Sequence, residues 1–353
     1  MVENLISEKL ENELRCLKTG TITLVQWFNV WIAIYKHNAI RESSKVVYTY
    51  LFEHYVSPTL GDKLLREVSS LDCKMLFNIL EDAGLSFSTR IRLKCLLDNI
   101  FELAYADSFI PHNPVKGLRV LKERVAERRV LTIAEQSEFL KMSKHSFYEN
   151  LFIVALCTGL RIGELGALTQ SDLDFDRRII YVTKTIVHRR FDKNDSCNTF
   201  KIQPPKTHTS KRIVPMTSQC VDALKRQIDL RNDVIARPSA KPVPGFDNLV
   251  FVSTKGRPVT ASIVFTAIAS VVKRINRERN GVFEFKPFSS HVFRHTFATR
   301  CFESGMDAKT VQVLLGHSSI NLTMDLYTHV TEEKKIADVA LLDKLMMNIE
   351  KKQ

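Results

Sequence analysis

SHVFRHTFATRCFESGMDAKTVQVLLGHSSINLTMDLYTHV, residues 290–330, is the stretch around which the rest of the chain organises. Ser290 to Phe302 reads as a helix. His291 and Arg294 then lie at i and i+3 on one face, while Phe293, Phe297 and Cys301 lie at i, i+4 and i+8 on another. The second set anchors the helix in a core and leaves the first set to face a cleft. Lys309 to Leu315 reads as a further helix, capped by Asp307 and ended by Gly316 as a left-handed C-cap, so His317 falls on a tight turn. Tyr327 follows on a short helical segment. A guanidinium, two imidazoles and a phenol within about forty residues are the inventory needed to break a phosphodiester without a metal.

At 353 residues the chain has room for two domains with a core in each. Its formal net charge of +12 favours a polyanionic partner, nucleic acid or an acidic membrane surface. No run approaches the roughly 20 apolar residues of a membrane span, and the first residues, MVENLISEKLENELR, lack the apolar centre of a signal peptide. A cytoplasmic location is expected. Seven cysteines with no C-x-x-C pair argue against a disulfide framework and a structural zinc site, and are expected reduced and mostly buried.

Residues 1–21 are charged and helix-prone without a strong apolar face, and read as peripheral. Leu24, Trp27, Phe28, Trp31, Ile34 and Tyr35 then recur at helical spacing as one apolar stripe. Helices are expected over Ser43 to Tyr55 and Asp72 to Ala83, with Ser57-Pro58 and Gly61 marking a turn between them. A fourth runs from Ser88, as N-cap, towards Tyr105 and stops before Pro111 and Pro114. Residues 22–118 thus form an all-helical domain. Lys45, Arg90, Arg92 and Lys94 are read as exposed positions able to face phosphates. The segment 119–131 is poor in core formers and reads as a basic linker, in which Lys122, Arg124, Arg128 and Arg129 would add salt-dependent, sequence-blind affinity for DNA.

Thr132-Ile-Ala-Glu135 matches a capping box and opens a second domain. A helix through Phe152 to Leu156 ends at Gly159, and a new one carries Arg161 and Glu164. Strand-like runs follow at Ile179 to Val187, Thr199 to Gln203, Arg212 to Pro215 and Leu249 to Ser253, then a helix from Ala261 to Arg274. The fold class is α+β and mainly α, an all-helical N-terminal domain followed by a mixed helical domain with a small antiparallel β-sheet.

Four strings, T-G-L-R-I-G-E-L at 158–165, H-V-F-R-H-T-F-A-T at 291–299, L-L-G-H-S-S-I at 314–320 and M-D-L-Y-T-H at 324–329, resemble in order and spacing the boxes of the tyrosine recombinases of lambda-integrase type. A lone arginine, histidine or tyrosine is usually a surface or packing residue; four boxes in register are a specific signal. The PKTHTSKR turn and the NPVKGL string at the end of the helical domain are most similar to integrases of conjugative transposons and temperate phages of Gram-positive bacteria. The resemblance covers roughly residues 22–335. It makes 22–118 a core-type DNA-binding domain, 132–331 the catalytic domain, and 332–353 a helical tail for protomer contacts, in cis or in trans.

Residue by residue, the resemblance makes Tyr327 the nucleophile and Arg161 and Arg294 the clamp on the scissile phosphate. His291 and His317 become hydrogen-bonding or proton-transfer groups, and Glu164 the acid that orients Arg161. Lys206 matches the β-hairpin lysine that protonates the leaving 5′ oxygen, with Lys211 and Lys184 nearby as alternatives. The implied activity is site-specific recombination for a mobile element, through a 3′-phosphotyrosine link and a Holliday junction, without metal, cofactor or ATP. The implied partners are double-stranded DNA attachment sites, a homotetramer on DNA, an excisionase and a host DNA-bending protein, with no membrane and a nucleoid-associated location. A chromosome-dimer resolvase of the same family and a non-catalytic DNA-binding regulator are the alternatives. Many relatives carry a further N-terminal arm-binding domain; the 20 residues before the helical domain are too few for one, so either arm binding is lacking or the chain is shortened.

Overall fold

The computed structural model describes residues 2–40, 42–121, 128–191, 196–205, 208–281, 284–327 and 339–340. The chain forms two compact units, Met1–Ala126 with Arg190–Asn198, and Glu127–Arg189 with Thr199–Gln353. One division, after Ala126, lies in the segment read as the linker, while those after Arg189 and Asn198 lie inside the segment read as the second domain.

The first unit is helical: α1 (Val2–Thr19), α2 (Leu24–Val30), α3 (Glu42–Leu51), α4 (Ser57–Leu60), α5 (Ser70–Asp82) and α6 (Phe87–Ala106). Thr23 and Gln26 close a capping box at the start of α2. Behind it Leu24, Trp27, Phe28 and Trp31 are buried, whereas Ile34, at the end of the expected stripe, is exposed. The Phe28 and Phe52 rings stack with centroids 4.0 Å apart, and Trp27 Nε1 donates to the Ile100 carbonyl at 3.1 Å, joining α2 to α6.

Three expectations are corrected here. Residues 1–21 are not peripheral, because Leu10, Leu14, Cys16 and Leu17 of α1 pack on this core and buried Glu13 accepts from Asn29 Nδ2 at 2.8 Å. Ser57-Pro58 does not break the chain: Pro58 sits in the first turn of α4, where its missing N–H leaves no bond unmade. The N-cap of α6 is Ser86, whose Oγ accepts from Thr89 N at 3.3 Å, rather than Ser88. All seven cysteines are free; Cys73, Cys220 and Cys301 are buried, but Cys95 and Cys197 are exposed.

The second unit comprises α7 (Ile133–Ser143), α8 (Glu149–Thr158), α9 (Ile162–Leu165), β1 (Leu173–Asp174), β2 (Ile179–Val182), β3 (Thr185–Arg189), β4 (Thr199–Gln203) and β5 (Arg212–Pro215). Then come α10 (Ser218–Ile235), α11 (Ala261–Glu278), α12 (His291–Glu303), α13 (Ala308–Leu315) and α14 (Asn321–Tyr327). Helix α8, ENLFIVALCT, is apolar on all sides and accordingly central, with α10 and α12 packed against it. Phe139, Phe152, Phe288 and Phe293 meet there edge-to-face or tilted.

The expected run Ile179 to Val187 is two strands in separate sheets. β2 lies between β1 and β5 in an antiparallel sheet, while β3 pairs with β4 from Thr185↔Gln203 to Arg189↔Thr199. The break falls at Lys184, whose Nζ reaches Asp172 Oδ2 at 2.6 Å and Thr169 Oγ1 at 3.0 Å. Leu249 to Ser253 makes only isolated bridges, Thr169↔Leu249 and Val252↔Pro258. Helix α10 fills a stretch for which the sequence reading offers nothing, although Thr217 caps it and Cys220, Ala223, Leu224 and Gln227 follow at helical spacing.

Candidate active site

Helix α8 ends at Gly159, in the left-handed region at φ 61°, and the chain re-enters a helix three residues later, at Ile162. Arg161 is the N-cap of α9, and Glu164, three residues on, reaches back to the Arg161 N–H at 2.9 Å. The same carboxylate accepts from Arg161 Nη1 at 2.8 Å. Glu164 is 3 % exposed, and Arg212 from β5 meets it with a two-pronged fork, Nη1 to Oε1 at 3.1 Å and Nη2 to Oε2 at 2.8 Å. Burial alone would push the Glu164 carboxyl up; Arg212 outweighs that, with Arg161 helping, and the net direction is down. Glu164 is therefore an ionised strut that aims Arg161 while leaving its guanidinium partly open to solvent.

Helix α12 supplies the second guanidinium. Phe293 and Cys301 bury into the unit and Phe297 packs partly buried on the α12–α13 cluster, which turns Arg294 inward. Arg294 donates from Nη1 to the Gly159 carbonyl at 2.8 Å and from Nη2 to the Leu315 carbonyl at 2.5 Å. It thus holds together the C-terminal ends of α8 and α13, where orphan carbonyls await donors. Burial first, then Arg161, pull its pKa down to about 9.

Gly316, at φ 65° and ψ 44°, ends α13 in a left-handed cap, the conformation expected of that residue. The turn presents His317, whose Nδ1 lies 2.9 Å from Thr323 Oγ1 on α14. Thr323 is fully buried, so this contact fixes the ring and leaves Nε2 as the atom able to meet a ligand. Burial pushes the His317 pKa down to about 3, assisted by Arg294, Arg161, His295 and Arg212. His291, at the rim on the first turn of α12, is likewise lowered by desolvation, then by Arg294 and Arg161.

Arg161, Arg294, His291 and His317 therefore share one electrostatic neighbourhood, although more than 150 residues separate the first from the last. Three guanidiniums against one carboxylate leave two net positive charges among Arg161, Arg212, Arg294 and Glu164. Such a preorganised field opposes protonation of its own histidines and favours an incoming oxyanion. α14 packs on α12 and α13 and ends at Tyr327. Lys206 lies outside the described residues.

Arg212 and Thr323 are absent from the sequence-based site. Arg212 had a signal: it shares with Val214 the inward face of a period-2 strand, and a charge on that face needs a partner. The DNA-contact candidates fare unevenly. Arg90 is not exposed at all; it is 2 % accessible, donating from Nε to the Leu85 carbonyl at 3.0 Å and pairing with Glu81 at 2.7 Å, so it ties α5 to α6. Lys45 is half-buried and pairs with Glu42 at 2.7 Å. Arg129 spends its donors on the carbonyls of Lys286 and Pro287 and on Glu135, which fastens the linker's end to the second unit. Arg92 and Arg128 are exposed and Lys94 half-buried. Lys122, Arg124 and, apart from 339–340, the tail 332–353 lie outside the described residues.

A helical unit with small antiparallel sheets, carrying two arginines and two histidines in one positive, anion-favouring neighbourhood, is that of a tyrosine-type site-specific DNA recombinase. The chain belongs to the phage integrase family, whose model matches residues 123–334, and an N-terminal SAM-like domain of phage integrases matches residues 23–80. It is 26% identical over 312 residues to the transposase from transposon Tn916 of Enterococcus faecalis, covering 86% of this chain and 74% of that one. Identity to a XerC-like tyrosine recombinase of Caldanaerobacter subterraneus is 27% over 337 residues, 92% of this chain and 84% of the other. The Tn1549 transposon integrase, solved in complex with transposon right end DNA, superposes with a TM-score of 0.77 at 28% identity over 91% of this chain and all of that one. Among the described residues no helix is long and apolar enough to cross a membrane.

Proposed function

We propose that this recombinase is the integrase of a mobile element, acting on double-stranded attachment sites as a multimer, with Tyr327 as nucleophile. The observation that carries the reading is the shared positive neighbourhood of Arg161, Arg294, His291 and His317, next to a helix that ends at Tyr327. The Tyr327 oxygen attacks the scissile phosphorus, and its proton passes to a base, with His291 the candidate. Negative charge then builds on the equatorial oxygens, where Arg161 offers a planar fork and Arg294 the N–H groups not taken by Gly159 and Leu315, both guanidiniums staying charged at working pH. The bond to the 5′ oxygen breaks, that oxygen takes a proton from Lys206, and a 3′-phosphotyrosine remains. Attack by a 5′ hydroxyl from a second duplex reverses the step and rejoins the strand, and two such rounds pass through a Holliday junction. Because the phosphotyrosine conserves the energy of the broken bond, no nucleotide is consumed.

Transposon origin is supported by the similarity to the Tn916 and Tn1549 proteins, the second of which was solved on its element's DNA. An excisionase and a host DNA-bending protein are the expected accessory partners, and the nucleoid the expected location. A suicide substrate, nicked so that the short fragment carrying the freed 5′ hydroxyl diffuses away, traps the covalent adduct for gel and mass analysis. The wild type is expected to form it in EDTA, and Tyr327→Phe to form none. No adduct in the wild type, or an adduct that survives in Tyr327→Phe, overturns the reading.

A further inference from the structure

We infer that Arg212, which lies in none of the four boxes, is a positioning residue that keeps the phosphate clamp and the His317 turn in register from one buried guanidinium. The inference rests on the recombinase reading above and deepens it.

Four of the five N–H groups of this side chain are committed, to two distant segments and to the residues just before it. Nη1 and Nη2 take the two oxygens of Glu164, at 3.1 and 2.8 Å, and so set the carboxylate that aims Arg161. Nη1 also donates to the Ser210 carbonyl at 3.1 Å, at the foot of the β4–β5 loop to which Lys206 belongs. Nε donates to the Leu314 carbonyl at 2.6 Å, in the last turn of α13. The next carbonyl, Leu315, is held by Arg294. Two guanidiniums thus divide the end of the helix that presents His317, and Gly316 packs so closely that a Cβ there would lie 3.1 Å from Arg212 Cδ.

An ion pair serving stability alone needs only Glu164. The bond to Leu314 brings in the segment around His317, the bond to Ser210 braces the start of β5, and together they are the part that a point charge cannot reproduce. Arg212 has little left to offer DNA directly, since its side chain is buried and four of its five N–H groups are already bonded within the protein. Arg212 acts through its neighbours: without the fork, Glu164 and Arg161 lose their common orientation, and the turn from Leu314 to His317 loses the tether at Leu314.

The test compares wild type with Arg212→Lys, which keeps a positive charge beside Glu164 but not the fork. Three quantities are read on the full chain: melting temperature, affinity for an attachment-site duplex, and single-turnover adduct formation on a suicide substrate. The His317 imidazole is followed by nitrogen NMR as well. Expected are a folded variant, DNA affinity within about threefold of wild type, adduct formation slower on the order of a hundredfold, and a His317 titration moved up towards its ordinary range. A variant with a lower melting temperature but wild-type rate and wild-type His317 titration overturns the positioning role while leaving the recombinase reading intact. Failure of the wild type itself to form adduct overturns both.

Discussion

Replacing Gly159 by alanine probes the joint on which the clamp is built. Gly159 sits at φ 61°, where an L side chain costs about 1–2 kcal/mol. An added Cβ would fall inside the contact radius of Phe297 Cδ1 and 3.0 Å from Leu315 Cδ2. Phe297 belongs to α12 and Leu315 to α13, two helices packed on each other around Val311 and Phe302, so relief requires one of them to shift; overpacking of this kind costs about 1–3 kcal/mol. The sum is roughly 2–5 kcal/mol, which in domains of this size lowers the melting temperature by about 2–4 °C for each kcal/mol.

Gly245→Ala is the control, because Gly245 has φ 82° with nothing within 4 Å of an added Cβ. It carries the backbone strain without the collision. The two variants, melted in parallel, are expected to differ by roughly 2–12 °C, the packing share of the loss. Gly159→Ala is also expected to slow adduct formation on the order of a hundredfold, since the Gly159 carbonyl holds Arg294 Nη1, while Gly245→Ala keeps the wild-type rate. If the two variants melt within a degree of each other, the packing argument is wrong. A wild-type rate in Gly159→Ala refutes the link between this joint and the clamp.

Arg294→Lys is expected to bind DNA nearly as well as the wild type and to form adduct about 100- to 1000-fold more slowly, the loss typical of an oxyanion donor; single-turnover assays beside duplex binding check it. One ammonium cannot span the Gly159 and Leu315 carbonyls that the fork joins. His317, with its pKa pushed down to about 3, is expected to stay neutral from pH 8 to pH 5 in the free protein, and a midpoint near 6.5 by nitrogen NMR refutes it. The sign for stability follows: the unfolded chain takes up a proton below about 6.5 that the folded ring resists, so stability is full above that pH and falls as pH drops towards 3. The slope per pH unit is at most about 1.4 kcal/mol, less for the part of the ring open to solvent, and is expected to flatten in His317→Gln, read by denaturant unfolding at pH 5 and pH 7.

What was legible in the sequence was whatever local rules govern. The capping box at Thr132, the helix end at Gly159, the left-handed cap at Gly316 and the anchoring face of α12 all follow from side-chain geometry within a few residues, and each is found where expected. Errors came where tertiary packing decides. Arg90 reads as one more exposed cation, yet the end of α5 needs a donor and takes it inside; residues 1–21 read as peripheral, yet Leu10, Leu14 and Leu17 have a core to meet.

Arg212 shows the limit most plainly. Its neighbours in sequence say only that a strand carries a charge on its inner face; that the charge is joined to Glu164, 48 positions earlier, and to Leu314, 102 positions later, follows only once three segments have folded together. The residues proposed to meet substrate are marked by chemistry and can be read from boxes. Those that hold them in place are marked by partners, and a partner that far along the chain leaves no local trace. For that reason the arginine in strand β5, rather than another histidine or tyrosine, is where substitution separates the aim of this site from its charge.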